Sequence, residues 1–158
     1  MSGDICRSQV CVASTPDAKG YWGAMSEENA ETVRDSLNAF AARGLDGWAE
    51  FWAADINWRA IEGAPDDVGE MHGVEAVRRY FQEWVDMFDN ITNVPEELLD
   101  VGDDRVVAVQ HATGRAKASG VETELRYAVV YTLRGGRIVR AREYIDRKQA
   151  LQAVGLGE

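Results

Sequence analysis

The segment 105–146, RVVAVQHATGRAKASGVETELRYAVVYTLRGGRIVRAREYID, contains three predicted β-strands that decide the fold. The strands cover residues 105–118, 121–133 and 137–146, and each is rich in Val, Tyr, Ile and Thr. Glycine-containing turns at 118–120 and 134–136 separate them. This pattern is typical of antiparallel strands joined by hairpins, so we expect the segment to form the centre of a sheet.

Side chains alternate between two faces along these strands. One face of the middle strand is apolar or aromatic throughout, and it is predicted to face a core: Leu125, Tyr127, Val129, Tyr131 and Leu133. On the more apolar face of the last strand, Glu143 is the one acid. Because a buried carboxylate without a partner is costly, its position favours a functional site.

The turn at 134–136 decides which residue Glu143 contacts. A two-residue turn would pair Tyr127 with Tyr144, whereas a three-residue loop ending in a left-handed glycine pairs Tyr127 with Glu143. We prefer the three-residue loop because the apolar faces of the two strands then coincide.

A three-residue loop at 118–120 places His111 opposite Tyr127. It also pairs Val109 with Val129, and Thr113 with Leu125. The sequence therefore predicts a row of His111, Tyr127 and Glu143 across the inner face of the sheet. A lone histidine in a strand is also often a partly exposed or hydrogen-bonded residue without a catalytic role.

Ser26, followed by two acids, is a typical helix start, and we expect a helix that runs to about Arg43 and ends at Gly44. A short second helix carries an aromatic stripe of core residues: Trp48, Phe51 and Trp52. Residues 55–61 predict a strand, and residues 62–71 predict a loop at the rim of a pocket.

An amphipathic helix from Gly73 includes Trp84 and forms the main cover of the core. Residues 93–101 predict a further strand, and Asp146 is expected to cap a short helix over 147–154. This order of elements predicts an α+β fold, in which a strongly curved, mostly antiparallel sheet wraps around about three N-terminal helices.

Composition limits the classes of function. The chain has 158 residues, 46% of them hydrophobic, which is enough for one globular domain with a substantial core. Its 17 basic and 27 acidic residues argue against nucleic acid or an anionic membrane as a partner. The sequence shows neither a signal-peptide pattern nor an apolar run long enough to cross a bilayer, so we expect a cytoplasmic protein.

Residues 1–24 differ from the rest and predict a disordered tail, so a single domain is expected over 25–158, with Met25 as a candidate start. The tail contains both cysteines, Cys6 and Cys11, without a third or fourth ligand nearby. No metal site is therefore predicted.

Three motifs in this order resemble the SnoaL-like branch of the nuclear transport factor 2-like superfamily: DINW at 55–58, MHGVEAV at 71–77 and REYIDRKQAL at 142–151. The resemblance covers about residues 26–156. It implies a conical α+β barrel with a deep apolar pocket for a small hydrophobic molecule, and a homodimer formed through the outer face of the sheet. Members of this superfamily include polyketide cyclases, ketosteroid isomerases, limonene epoxide hydrolases and scytalone dehydratases.

Limonene epoxide hydrolases use an Asp, Arg, Asp triad with a Tyr and an Asn that hold water. By this resemblance their last-strand Asp corresponds to Glu143, their Arg to His111 and their other Asp to Thr113. Their Tyr corresponds to Trp58, and their Asn corresponds to Ala60. Trp58 has one donor and no acceptor, and Ala60 has neither, so the groups that hold water are missing. Epoxide hydrolysis is not expected.

The reaction class expected is cofactor-independent acid–base chemistry of the isomerase, cyclase or dehydratase type. In this hypothesis Glu143 and His111 share the proton transfers, and Tyr127 or Tyr131 binds the substrate oxygen. Further residues are expected to bind the substrate or shape the cavity: Trp58, Trp84, Thr113, Val109 and Val129. The alternative is a non-catalytic domain that binds an apolar ligand or serves as a dimeric scaffold. Contact between Glu143 and His111 would favour the enzyme.

Overall fold

The computed structural model of the protein describes residues 20–65 and 67–156, with side chains from Glu28 onward. This part of the chain forms an α+β fold, which confirms the predicted class. Its elements are α1 Gly20–Ala49, β1 Trp52–Arg59, β2 Glu70–His72, α2 Val74–Met87, β3 Phe88–Gly102, β4 Arg105–Ala116, β5 Glu122–Arg134, β6 Arg137–Tyr144 and α3 Arg147–Ala153.

The strands form one sheet in the order β2-β1-β6-β5-β4-β3. Neighbouring strands are antiparallel except β1 and β6, which are parallel. Irregularities interrupt the pairing of β3 with β4, and such bulges bend a sheet. Within the described residues β2 and β3 do not pair with each other, so the sheet is an open cone rather than a closed barrel. We expected β2 to be loop, because three residues are too few to show a strand period.

The first helix begins at Gly20, so the prediction that Ser26 starts it was wrong. Residues 1–19, most of the predicted tail, lie outside the described part of the chain. At Gly44 the backbone leaves helical geometry, with φ 71° and ψ −155°, and this break confirms the predicted end of the first helical segment. Trp52 was expected in the second helical segment, but it begins β1.

The hairpin between β4 and β5 has a longer turn than predicted. Four residues, 117–120, separate Ala116 from Val121, and the backbone N–H of Ala116 donates to the carbonyl of Val121 at 2.9 Å. As a result Gln110 pairs with Tyr127, and His111 pairs with Arg126. A slip of one residue exchanges the two faces of a strand. The predicted inner position of His111, Val109 and Thr113 was therefore wrong, and Ala108, Gln110 and Ala112 occupy that face.

The hairpin between β5 and β6 has the two-residue turn that we rejected. Gly135 and Gly136 both have left-handed φ angles, 60° and 78°, which is the geometry of a tight type I′ turn. The register then shifts by one residue next to Thr132, and beyond this bulge Val129 pairs with Glu143. The bulge shifts the alternation of inward and outward side chains along β6 by one further residue. Glu143 therefore still lies on the inner face, although its cross-strand partner is not Tyr127.

The inner face of the sheet and the first two helices enclose the main core. Its largest fully buried side chains include Trp48 of α1, Trp58 of β1 and Tyr131 of β5. On the outer face Ala150 of α3 packs in a smaller cluster with residues of β4 and β5: Val107, Ala128 and Val130. Asp146 caps α3 as predicted, since its carboxylate accepts a hydrogen bond from the N–H of Gln149 at 2.9 Å.

Candidate functional site

A cavity of about 290 Å³ lies between the helices and the inner face of the sheet. Most of its wall is aromatic or aliphatic. The aromatic side chains come from both helices and from β5: Phe40, Trp48, Tyr80, Phe81, Trp84 and Tyr127. Polar residues of β3 and β6 also line it: Thr92, Asn93 and Glu143. The cavity is thus suited to a small hydrophobic molecule that is held by few polar contacts.

Glu143 is the only residue with a carboxylate, amine, guanidinium or imidazole among the described residues that line this cavity. The bulge in β6 turns it inward, and the residue is only 9% exposed. Its Oε2 accepts a hydrogen bond from Nε1 of Trp58 at 2.9 Å. Trp58 itself is 1% exposed, so this donor holds the carboxylate in one orientation at the cavity wall.

Tyr127 lies at the centre of a buried hydrogen-bond network. Its hydroxyl oxygen accepts from Nδ2 of Asn93 at 2.8 Å and from Nε2 of Gln110 at 3.0 Å. The same Gln110 amide donates to Oδ1 of Asn93 at 3.1 Å. Its own Oε1 accepts from the hydroxyl of Tyr131 at 2.5 Å. Because two donors occupy the lone pairs of Tyr127, its own hydrogen is left to donate.

Burial raises the pKa of both phenols in this network. For Tyr127 desolvation is the largest cause, followed by the negative charge of Glu143, while the bonds from Asn93 and Gln110 oppose the shift. The pKa of Tyr131 is raised by desolvation first and then by Tyr127 and Glu143. Both side chains therefore stay neutral near pH 7, and Tyr127 keeps the proton that it needs as a donor.

His111 lies on the outer face of the sheet and does not line the cavity. Its Nε2 is 3.1 Å from Oε1 of Glu124, and its Nδ1 is 3.7 Å from Oε2 of Glu96. Glu96 in turn accepts a hydrogen bond from Nε of Arg126 at 3.0 Å, and this bond is the main reason why its pKa is lowered. The predicted row of His111, Tyr127 and Glu143 does not exist, because the turn at 117–120 has one residue more than expected.

The structure brings three of the predicted site residues to the cavity wall: Glu143, Tyr127 and Trp84. Three others are buried behind that wall: Trp58, Tyr131 and Val129. Val109 and Thr113 lie on the outer face with His111, and the hydroxyl of Thr113 is hydrogen-bonded to that of Thr92. The catalytic and binding roles of all these residues stay predictions.

Gln110 and Asn93 were not predicted as site residues. In β4 both faces read as mostly apolar, so the alternation did not reveal which set faces the core. The signal that pointed to Gln110 was its amide, the one strongly polar group at the even positions 106–112. Such a residue on an inner face needs partners, and the two tyrosines of β5 provide them.

The loop after β1 forms part of the cavity wall through Ala64 and Pro65. Asp67 holds this loop, since its carboxylate accepts from the backbone N–H groups of Gly63 and Gly69, each at 2.9 Å. These bonds are the main cause of its lowered pKa, and Arg59 adds a hydrogen bond at 3.1 Å. The loop is therefore anchored at the cavity, in agreement with the expected rim.

Two features are absent from the described part of the chain. No group of three or more His, Cys, Asp or Glu side chains is arranged to hold a metal ion in residues 28–65 and 67–156. No helix in the described residues 20–65 and 67–156 is both long and apolar enough to span a membrane.

Comparison with known protein families identifies one match. The model of the SnoaL-like domain matches residues 33–141 of this chain. Comparison with curated protein sequences gives no match.

Several solved structures have the same fold. A nuclear transport factor 2-like protein of unknown function from Burkholderia pseudomallei is 24% identical, with a TM-score of 0.65, and the match covers 81% of this chain and 98% of that one. RV0760c from Mycobacterium tuberculosis, in complex with estradiol-17beta-hemisuccinate, is 20% identical with a TM-score of 0.65 over 76% of this chain and 95% of its own. TerC, co-crystallised with polyporic acid, is 20% identical with a TM-score of 0.64, and the match covers 82% and 97%.

Proposed function

The chain belongs to the SnoaL-like domain family, whose model matches residues 33–141, and we propose that it is a cofactor-independent acid–base enzyme. Its reaction is of the isomerase, cyclase or dehydratase type, and its substrate is a small hydrophobic molecule with a carbonyl or hydroxyl group. Relatives with the same fold were crystallised with estradiol-17beta-hemisuccinate and with polyporic acid, which supports a substrate of this kind.

The proposal rests on one observation: a carboxylate and a phenol donor line the same apolar cavity. Glu143 and Tyr127 both line it, and their chemistry is complementary. A carboxylate accepts a proton, whereas a neutral phenol stabilises an oxygen on which negative charge develops. In an apolar cavity both interactions are stronger than in water.

The proposed step begins with a ketone whose oxygen accepts the hydrogen bond of Tyr127. Glu143 removes a proton from the carbon next to the carbonyl, and the electron pair of that C–H bond moves to form an enolate. The hydrogen bond from Tyr127 stabilises the enolate oxygen. Glu143 then returns the proton to the same carbon or to another one. Trp58 keeps the carboxylate in position through its N–H.

A non-catalytic binding function is the second candidate, and the position of His111 favours it. The described residues that line the cavity lack the imidazole that we expected to share the proton transfers, because His111 contacts Glu124 on the outer face. A cavity with one carboxylate and a fixed phenol is also a reasonable binding site for a hydroxylated or carbonyl ligand.

The test uses 1-tetralone, a hydrophobic ketone, in D₂O, with proton NMR to follow the exchange of its hydrogens next to the carbonyl. We expect the wild-type protein to accelerate exchange and Glu143→Gln to slow it by roughly 100-fold or more, the usual size of a general acid–base contribution. Gln keeps the shape and an acceptor for Trp58. Glu124→Gln, on the exposed outer face, is the matched control and keeps the wild-type rate.

Two outcomes separate the candidates. If hydrophobic ketones raise the melting temperature of the wild-type protein but their hydrogens exchange no faster than in buffer, the protein is a binding module. If exchange is accelerated equally by the wild type and Glu143→Gln, the acid–base assignment is wrong.

We also propose a homodimer through the outer face of the sheet, as the family resemblance implies, and a cytoplasmic location. In the structure α3 covers part of the outer face through the cluster around Ala150. The rest of that face includes Arg140, Arg142 and Tyr144 of β6. Light scattering after size exclusion tests the dimer, which has twice the chain mass of 17.5 kDa.

A further inference from the structure

The side-chain amide of Asn93 has one more hydrogen than the buried network around Tyr127 uses. One N–H of its Nδ2 donates to the hydroxyl of Tyr127 at 2.8 Å, and its Oδ1 accepts from Nε2 of Gln110 at 3.1 Å. An amide nitrogen carries two hydrogens. No residue in the described part of the chain accepts the second one. Since Asn93 lines the cavity and is only half-buried, this hydrogen is available to a bound molecule.

The neighbours of Asn93 fix the orientation of this amide. If its oxygen and nitrogen were exchanged, two donors, Nδ2 of Asn93 and Nε2 of Gln110, would lie 3.1 Å apart. Gln110 cannot turn over either, because its Oε1 accepts the hydrogen of the Tyr131 hydroxyl. Nε2 of Gln110 contacts both Oδ1 of Asn93 and the hydroxyl oxygen of Tyr127, so the N–H that donates to Tyr127 lies on the Oδ1 side of the amide. The second N–H therefore points out of the network.

Tyr127 and Asn93 thus have two donors side by side at the cavity wall. The hydroxyl oxygen and Nδ2 are 2.8 Å apart, and neither of their remaining hydrogens lies between them. Because hydrogen bonds are strongest when they are nearly linear, the pair suits two acceptor oxygens about 3–5 Å apart better than one shared oxygen. Two carbonyl groups that are separated by a single carbon have oxygens at about this spacing.

The charge of the cavity wall favours a neutral ligand. The described residues that line the cavity include no Lys, Arg or His, whereas Glu143 contributes a carboxylate. An anionic ligand would lose its hydration without gaining a counter-charge, and that is costly. A neutral 1,3-dicarbonyl compound avoids this cost. Its C–H between the two carbonyl groups is also more acidic than a C–H beside one carbonyl, which suits a carboxylate base without an imidazole partner.

We propose that Asn93 binds a second oxygen of the substrate, next to the oxygen that Tyr127 binds, and that the substrate is a neutral 1,3-dicarbonyl compound. Glu143 removes a proton from the carbon between the carbonyl groups, and the electron pair of that C–H bond spreads over both oxygens. Each oxygen of the resulting enolate keeps one hydrogen bond, from Tyr127 or from Asn93. The inference rests on the proposed function for the proton transfer, whereas the two hydrogen bonds require no catalysis.

The experiment measures the binding of two matched ketones by calorimetry. The first, 2-acetyl-2-methyl-1-tetralone, has two carbonyl groups one carbon apart and no hydrogen between them. The second, 2-isopropenyl-2-methyl-1-tetralone, has the same shape with one carbonyl group. We expect the wild-type protein to bind the diketone about three- to tenfold more tightly, as one added hydrogen bond allows.

Two variants with the same substitution show where this preference arises. Asn93→Leu removes the proposed donor, so it should bind the two ketones equally. Asn57→Leu is the matched control, because Asn57 contacts His72 on the outer side of the sheet at 3.2 Å and does not line the cavity. It should keep the wild-type preference.

A second measurement uses the wild-type protein alone, so it does not depend on either variant being folded. In protein with ¹⁵N-labelled asparagine, the diketone should shift one of the two side-chain amide protons of Asn93 downfield, and the monoketone should not. The proposal is overturned if neither ketone binds, if the wild type does not distinguish them, or if Asn93→Leu keeps the preference. Unchanged proton exchange of 1-tetralone in Glu143→Gln would instead refute the acid–base function and leave these binding results as they are.

Discussion

Replacement of Gln110 by Leu removes the amide that joins the two buried phenols. Gln110 is fully buried and takes part in three hydrogen bonds, two as donor and one as acceptor. Leu has a similar volume, so the change deletes polar contacts without leaving a large cavity. Tyr131 loses its acceptor, whereas Tyr127 keeps the hydrogen bond from Asn93.

The expected loss can be worked out from these bonds. A buried hydrogen bond contributes about 1 kcal/mol, and a buried hydroxyl left without an acceptor costs a further 1–3 kcal/mol or so. Gln110→Leu deletes three such bonds and orphans the hydroxyl of Tyr131, so we expect it to lower the free energy of unfolding by about 4–6 kcal/mol. Adding Tyr131→Phe removes the orphaned hydroxyl, so the double variant should recover about 1–2 kcal/mol relative to Gln110→Leu.

Urea denaturation followed by far-ultraviolet circular dichroism measures both values, with equal slopes confirming that the unfolded states are comparable. A loss below about 1 kcal/mol for Gln110→Leu would show that the network contributes little to stability. A double variant less stable than Gln110→Leu would mean that the hydroxyl of Tyr131 does not depend on Gln110. Either result would refute the hydrogen-bond network described for the site.

Three further predictions concern pH and backbone geometry. Burial raises the pKa of Tyr127 and Tyr131, so the native state keeps two protons that the unfolded chain releases above about pH 10. Above that pH the free energy of unfolding should fall by up to about 1.4 kcal/mol per pH unit for each phenol. In urea titrations between pH 9 and 11, Tyr127→Phe should remove the part of this fall that Tyr127 causes. Backbone hydrogen bonds lower the pKa of Asp67 below its ordinary value of 3.8. Its carboxylate therefore stabilises the fold above pH 3.8, and this effect is lost as the pH falls through the lowered pKa. Melting curves of Asp67→Asn and the wild type should differ at pH 7 and converge in acid. Gly44→Ala should lower the free energy of unfolding by about 1–3 kcal/mol in urea denaturation, because φ 71° with ψ −155° is accessible almost only to glycine. An added Cβ would meet no atom within 4 Å, so the loss comes from the backbone conformation and not from a clash. An unchanged midpoint would mean that the helix break tolerates side chains.

The inner face of β5 was predictable because its alternation has one solution. The odd residues 125–133 are all apolar or aromatic, and a core requires them on one side. The helix break was equally clear, since Gly44 follows a regular apolar pattern. In both cases a local feature of the sequence has one low-energy arrangement, and the structure adopts it.

The sequence did not predict which residues of β4 point inward, because both faces of this strand are largely apolar. The choice depends on the length of the turn between β4 and β5. A three-residue turn at 118–120 and a four-residue turn at 117–120 place His111 on opposite faces. Packing of Gln110 between Tyr127 and Tyr131 settles the choice in the folded protein. That is a tertiary interaction, and the amide of Gln110 among apolar even positions is the trace that it leaves in the sequence.

Glu143 was placed on the inner face by an argument whose details were wrong. The tight glycine turn and the bulge next to Thr132 each shift the register by one residue, and their effects on the facing of Glu143 cancel. The candidate acid was therefore identifiable from its chemical type and strand, whereas its neighbours were not. Asn93 and Trp48 join the cavity only through long-range packing.

We propose that Glu143 acts at the cavity without an imidazole partner. Proton exchange of 1-tetralone in D₂O, measured side by side for the wild type, Glu143→Gln and His111→Ala, tests it most directly. We predict equal rates for the wild type and His111→Ala and a rate near that of buffer for Glu143→Gln. A loss in His111→Ala as large as that in Glu143→Gln would show that the imidazole takes part and that Glu143 does not act without it.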